Sequence, residues 1–218
     1  MPLTLSPDDV ILFQGDSITD CQRNREATAA NDRDGLGQGY ARYTAASLLA
    51  DHPGLTVYNR GVSGNRVTQL AERWQADCLD LKPTIVSILI GVNDTWHGVA
   101  KGTPENGVDL DQYDRVYRQL LDDTKAALPG VKLVICEPFT TEAGAVLEMN
   151  FHPDIDERAN LCKIIAQEYA DAWVPFQTMF DDATKRAEPA YWAHDGVHPT
   201  VAGHELMART WLKSVTGK

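Results

Sequence analysis

The stretch VILFQGDSITDC, residues 10–21, decides how the rest of the chain is read. Its four apolar residues, Val10 to Phe13, are followed by Gln14 and stopped by Gly15. A short apolar run without polar alternation is what a strand buried on both faces requires, and such strands belong to parallel sheets covered by helices. An acid, a serine and a Thr-Asp pair come next, so Asp16 and Ser17 stand where the strand ends.

Runs of the same kind recur outward from it: LTVYN at 55–59, TIVSILIG at 84–91, VKLVICE at 131–137 and DAWVPF at 171–176. All are short and rich in β-branched or aromatic residues, which makes five candidate strands. Between them Val67, Leu70, Trp74, Cys78 and Leu81 keep helical spacing, as do Tyr113, Val116, Tyr117, Leu120, Leu121 and Leu128. Pro83 and the Pro129-Gly130 pair close these two helices. Further helices are expected at 39–51, 157–170, 177–187 and 200–214. Parallel neighbours need a crossover, and here each crossover is a helix. The pattern therefore predicts one domain over 1–218, an α/β three-layer α/β/α sandwich with a central five-stranded parallel sheet, flavodoxin-like. Ligands of such sheets collect beyond the carboxyl ends of the strands, which narrows the search for a site to a few loops.

Composition excludes several classes of function. Hydrophobic residues make up 43% of the 218 and charged residues 23%, ordinary globular usage, and no run approaches the ~20 apolar residues of a membrane span. The net charge of −11, with no cluster of Lys and Arg, argues against nucleic-acid and anionic membrane partners. MPLTLSPDDV at the start lacks the basic and apolar parts of a secretory signal, so a cytoplasmic location is expected. Cys21, Cys78, Cys136 and Cys162 are too dispersed for a CxxC metal site or a disulfide framework and read as free thiols. His204-Glu205 is followed by Ala208 where an HExxH zinc site needs histidine.

The strand exits carry Gly15-Asp16-Ser17, then Asn59 to Asn65 (NRGVSGN), then Gly91-Val92-Asn93-Asp94; Asp195-Gly196-Val197-His198 comes late in the chain. Together they hold a hydroxyl nucleophile, an imidazole base, a carboxylate to orient it and donors for an oxyanion, the parts needed for acyl transfer without a metal. Ser17 could instead cap a helix, with Asp20 imitating a capping box. The sequel from Cys21 to Gln38, CQRNREATAANDRDGLGQ, has no apolar stripe and speaks against a long helix there. Ser63 is a rival serine, but the nucleophile elbow G-x-S-x-G needs glycine where Asn65 stands. His194 competes with His198, though it is too close to Asp195 in sequence to receive the carboxylate in triad fashion. Asn93 could also serve only to turn the chain at its strand exit.

GDSIT, NRGVSGN, GVND and DGVHPT, in this order, resemble the four blocks of the SGNH (GDSL) hydrolase superfamily, a match running over residues 11–204. The resemblance implies Ser17 as nucleophile, Asp195 and His198 as the rest of a triad, and an oxyanion hole formed by Gly64, Asn93 and the Ser17 backbone N–H. GDSITDC, GLGQGY at 35–40, LAERWQAD at 70–77 and HPTVAGH at 198–204 are similar to the xylan acetylesterase branch. That branch implies a serine esterase acting through an acetyl-Ser17 intermediate on a small-molecule or oligosaccharide acetyl ester, xylo-oligosaccharides first. It also implies no cofactor and a homo-oligomer. A lysophospholipase or thioesterase of the same superfamily, and a non-catalytic carbohydrate-binding module, are the alternatives.

The chemistry agrees with the resemblance. A serine hydroxyl is scarcely ionised at neutral pH and needs a base whose pKa lies near 6.5, as an ordinary histidine's does. Asp195, three residues before His198 across the Gly196 turn, can bond Nδ1–H and leave Nε2 facing Ser17. Four further residues are expected to face substrate: Asp16, Arg60, and the aromatic pair Trp96 and Trp192, either of which could pack on a sugar ring. For Arg60 a bridge to a sheet-end carboxylate is an equal alternative.

Overall fold

The structure is a computed structural model that describes residues 2–100 and 103–218. Strand β1 (Val10–Gly15) leads into a single helical turn, α1 (Ser17–Asp20), and an irregular segment that ends at α2 (Tyr40–Asp51). After β2 (Thr56–Asn59) come α3 (Val67–Glu72) and α4 (Trp74–Asp77), then β3 (Ile85–Leu89), α5 (Val92–Val99) and α6 (Leu110–Ala127). β4 (Lys132–Cys136) is followed by α7 (Gly144–Met149) and α8 (Asp154–Tyr169), and β5 (Ala172–Val174) by α9 (Phe176–Thr184), α10 (Pro189–Trp192) and α11 (Val201–Thr216).

All five strands pair in parallel, in the order β2-β1-β3-β4-β5. This is the doubly wound arrangement expected, and its order reverses at β1/β3, where such folds open a crevice. Side-chain alternation divides the core. Ile11, Phe13, Ile85, Leu89, Val134 and Cys136 face one layer with α2 and α11, while Leu12, Val86, Ile88, Leu133 and Ile135 face α3, α4, α6 and α8. Both faces of the central strands β1, β3 and β4 are buried, which is why these read as continuous apolar runs. Ser87 is the polar exception on β3, and its hydroxyl accepts from the Trp211 indole at 2.9 Å.

Four differences from the sequence reading matter for the site. The helix expected over 67–81 breaks at Arg73, whose backbone leaves helical geometry (φ −106°, ψ 5°) and whose guanidinium donates to Asn65, Gln14 and the Arg60 and Gly15 carbonyls. A helix the periodicity did not reveal, α5, begins directly at the strand-three exit. Another, α7, is only six residues long, too short to show a stripe. Ser17 does start a helical turn, but as its first residue, with Asp16 as the N-cap. Among the described residues no helix is long and apolar enough to cross a membrane.

Candidate active site

The carboxyl ends of β1, β2 and β3 converge with the loop before α11. Asp16 caps α1 by accepting the Ile18 N–H at 3.0 Å, which fixes Ser17 at the first helical position with its side chain at the rim of the sheet. Ser17 Oγ lies 2.8 Å from His198 Nε2. His198 Nδ1 lies 2.7 Å from Asp195 Oδ2. The other carboxylate oxygen, Oδ1, accepts the backbone N–H of Val197 at 2.9 Å and of His198 at 2.7 Å. One oxygen therefore shapes the loop and the other orients the ring. Gly196 makes this turn possible: its φ is +87°, and a Cβ would stand 2.5 Å from the Ala143 carbonyl oxygen.

Electrostatics follow from these contacts. The Asp195 hydrogen bond raises the His198 pKa above its ordinary value against the lowering effect of burial. Burial pushes Asp195 up, but the bonds from His198 and the two backbone N–H groups overcome it and hold the carboxyl well below the usual range. Nδ1–H donated to a charged carboxylate leaves Nε2 as an acceptor facing the serine hydroxyl. This is the arrangement of a base that can remove the Ser17 proton.

A cavity of about 600 Å³ opens beside the pair and is lined by Gly64, Asn93, Trp96, His97 and Arg66 among others. Gly64 has φ +81°, and a Cβ there would meet nothing within 4 Å. The glycine suits this position through its left-handed backbone, and no neighbour among the described residues crowds it. Asn93 is the second residue of α5, so it is no turn residue; Gly91 is the N-cap, and Asn93 Nδ2 reaches the Asn65 carbonyl at 3.3 Å. Ser17, Gly64 and Asn93 thus share one wall from three separate strand exits.

Two carboxylates missed in the sequence brace that wall. Asp20, at the end of α1, accepts the Ser63 N–H at 2.9 Å, and Asp94, next to Asn93, accepts the Val67 N–H at 3.0 Å. The loop carrying Gly64 is thereby tied at one end to the serine helix and at the other to the asparagine helix. Asp94 is buried, and burial pushes its carboxyl up to about 7 despite the Arg158 charge. Only residue type was available to signal these roles, because Asp20 and Asp94 sit in blocks already crowded with polar residues.

The remaining expectations divide. Trp96 lines the cavity, its ring 5.7 Å from that of His198 and 5.5 Å from that of Phe151. Asp16 does not face substrate: it is wholly buried, its Oδ2 has no hydrogen-bond partner among the described residues, and burial raises its pKa to about 7. Arg60 is also turned away, its guanidinium bonded to the Asn59 and Thr28 carbonyls and stacked over Tyr58, so among the described residues it bridges to backbone and to no sheet-end carboxylate. Trp192 is 7% exposed and packs under Arg186 and against Tyr191, so its ring belongs to the core. Ser63 has no hydroxyl partner among the described residues, and His194 stands 3.9 Å from Asp195, largely exposed. His204 accepts from the Tyr40 N–H and faces Cys21, burial lowering its pKa to about 4.

Comparison with known proteins places this geometry among relatives. The model of the GDSL-like lipase/acylhydrolase family matches residues 13–206. An acetylxylan esterase from Geobacillus stearothermophilus is 38% identical over 208 residues, spanning 94% of this chain and 93% of its own. A crystal structure of acetylxylan esterase from the same organism superposes with a TM-score of 0.84 at 36% identity, covering 94% of this chain and 93% of the other. A GDSL-like protein from Parabacteroides merdae superposes with a TM-score of 0.92 at 44% identity, over 98% of each chain.

Proposed function

The chain belongs to the GDSL-like lipase/acylhydrolase family and is a carboxylic ester hydrolase of that type, and we propose that it removes acetyl groups from carbohydrates, acetylated xylo-oligosaccharides first, through an acetyl-Ser17 intermediate. The observation that carries the mechanism is the continuous line Ser17 Oγ to His198 Nε2 to Asp195 Oδ2, at 2.8 and 2.7 Å, along the edge of a donor-lined cavity.

His198 takes the Ser17 proton as the hydroxyl adds to the ester carbonyl. The carbonyl oxygen gains negative charge and is stabilised by the Ser17 and Gly64 N–H groups and the Asn93 side-chain amide. His198 then protonates the departing sugar oxygen, leaving acetate esterified to Ser17. In the second half His198 activates water, which adds to the acyl carbon, and collapse returns the proton to Ser17 and releases acetate. Asp195 holds the tautomer and stabilises the transient imidazolium throughout.

The carbohydrate reading is supported by the named relatives and by Trp96, a flat aromatic wall beside the base on which a pyranose face can rest. A short acyl group is supported by the polar segment after α1, which brings Gln22, Arg23 and Arg25 to the site. Acetate release from a panel of acetylated sugars, with nitrophenyl acetate and palmitate compared alongside, tests the reading. Acetyl-xylo-oligosaccharides and nitrophenyl acetate are expected to be turned over, and Ser17→Ala to lose both activity and labelling by a fluorophosphonate. Preference for palmitate, or turnover retained without Ser17, would refute it.

A further inference from the structure

Ser17, Ser63 and His198 also border a second cavity, of about 700 Å³, whose lining includes neither Gly64 nor Asn93. Its lining comes chiefly from α1 and the polar segment that follows, including Asp20, Arg23 and Arg25, with His194 at the edge. The two guanidinium groups are in different states. Arg25 is half exposed and committed to Asp20, with Nη2 2.6 Å from Oδ2 and Nε at 3.2 Å. Arg23 is 9% exposed, and its Nε donates to the Gly61 carbonyl at 2.7 Å. Among the described residues no carboxylate lies within ion-pair distance of Arg23, and its two terminal nitrogens make no protein hydrogen bond.

A guanidinium buried this far is normally ion-paired, whereas Asp20 acts on that of Arg23 only from a distance, its carboxylate being bonded to Arg25. Burial lowers the Arg23 pKa to about 10 against the raising effect of Asp20, so the group keeps its charge at neutral pH, and its terminal nitrogens are left open to the cavity. The cavity thus carries two cationic side chains against one carboxylate, in a chain whose net charge is −11. The planar fork left free on Arg23 matches a carboxylate in two parallel hydrogen bonds and leaves a neutral hydroxyl unable to balance its charge.

We propose that this second cavity is a subsite for a carboxylate on the alcohol part of the substrate, a uronic-acid unit of an acetylated oligosaccharide, with Arg23 as its partner. The assignment to the alcohol part rests on the deacetylase reading above, since an acetyl group carries no carboxylate of its own. Because Ser17, His198 and Arg23 line the same cavity, one ligand can present its ester to the nucleophile and its acid to the guanidinium.

The test compares two unacetylated xylo-oligosaccharides of equal length, one neutral and one bearing a single uronic acid, as competitive inhibitors of nitrophenyl acetate hydrolysis. The acidic sugar is expected to inhibit about tenfold more tightly at low salt, the factor of one charge-assisted pair in a partly hydrated cleft, with the advantage shrinking as salt is raised. Arg23→Met is expected to bring the two inhibition constants together, and Arg23→Lys, which keeps the charge and loses the fork, to retain a smaller preference. Equal inhibition by the two sugars in the wild-type protein would overturn the subsite, as would a preference undiminished in Arg23→Met. The wild-type comparison and the lysine variant decide the matter if the methionine variant does not fold. Calorimetric binding of the same sugars to Ser17→Ala reads the subsite without catalysis, so failure of the esterase reading is told apart from failure of this one.

Discussion

Replacing Asp195 by asparagine separates the two tasks that its two oxygens perform. In the native loop Oδ1 accepts the Val197 and His198 backbone N–H groups while Oδ2 faces His198 Nδ1. The asparagine side chain would keep its carbonyl oxygen on the backbone donors and turn its amide toward the ring. An amide N–H facing Nδ1 requires Nδ1 to be the acceptor, so the proton moves to Nε2, where it meets the Ser17 hydroxyl and the ring can no longer act as base. The wrong tautomer is expected to lower kcat by about 10⁴, as loss of the orienting carboxylate does in a serine triad. Stability should fall by less than on loss of the whole side chain, because the amide oxygen keeps both backbone bonds although not their charge. Asp195→Ala, by contrast, removes the ring contact and both backbone contacts from a side chain that is 23% exposed. Loss of two charge-assisted bonds there costs about 2–3 kcal/mol, or roughly 5–10 °C of melting temperature for a chain of this size. Nitrophenyl acetate turnover and thermal melts on both variants check the division. Turnover in Asp195→Asn within tenfold of wild type would refute the tautomer argument, and equal destabilisation of the two variants would refute the assignment of one oxygen to the loop.

Three other outcomes follow from the same geometry. Asn93→Ala should lower kcat by about 10² to 10³ with little change in KM, because the amide acts on charge that develops only in the transition state; steady-state kinetics on an acetate ester measure it. Since the Asp195 contact raises the His198 pKa, the acid limb of kcat/KM should have its midpoint above the ordinary histidine value of 6.5, with activity lost as pH falls through it; a pH–rate profile locates the limb. Burial raises the folded-state pKa of Asp16 to about 7, so between about pH 4 and 7 the folded chain holds a proton that the unfolded chain has released, and stability falls as pH rises across that window. Asp16→Asn keeps the cap on Ile18 and has no proton to lose, so its melting temperature should gain on wild type from pH 4 to 7; a constant difference would mean that the carboxyl ionises normally.

How much of the site is visible in the chain depends on the range of the interaction. Asp195 and His198 lie on one turn, so their contact follows from spacing and from the glycine between them. Ser17, Gly64 and Asn93 are legible as positions because each follows an apolar run, and a parallel sheet brings such exits to one edge. The fates of Arg60 and Trp192 were not legible. Both side chains are long and amphipathic, and whether they reach solvent or fold back depends on which carbonyls or rings stand within a few ångströms. Asp16 shows the same limit: a carboxylate beside a nucleophile suggests a role toward ligand, and only its complete burial reveals a helix cap held near neutrality. Helix α5 escaped notice because Gly91-Val92-Asn93-Asp94 has the residues of a turn, while its helical continuation is short.

The sequence by itself determined the five strands, the longer helices between them and the loops at which chemistry could gather, because apolar periodicity and turn residues act over a few neighbours. Tertiary structure alone decided the order of the sheet and the bracing of the Gly64 loop by Asp20 and Asp94. It also decided the burial of Asp16 and left Arg23 without an ion pair among the described residues. These depend on the energy of burying a charge or a polar group, and that energy is set by whatever residues, distant in the chain, close around it.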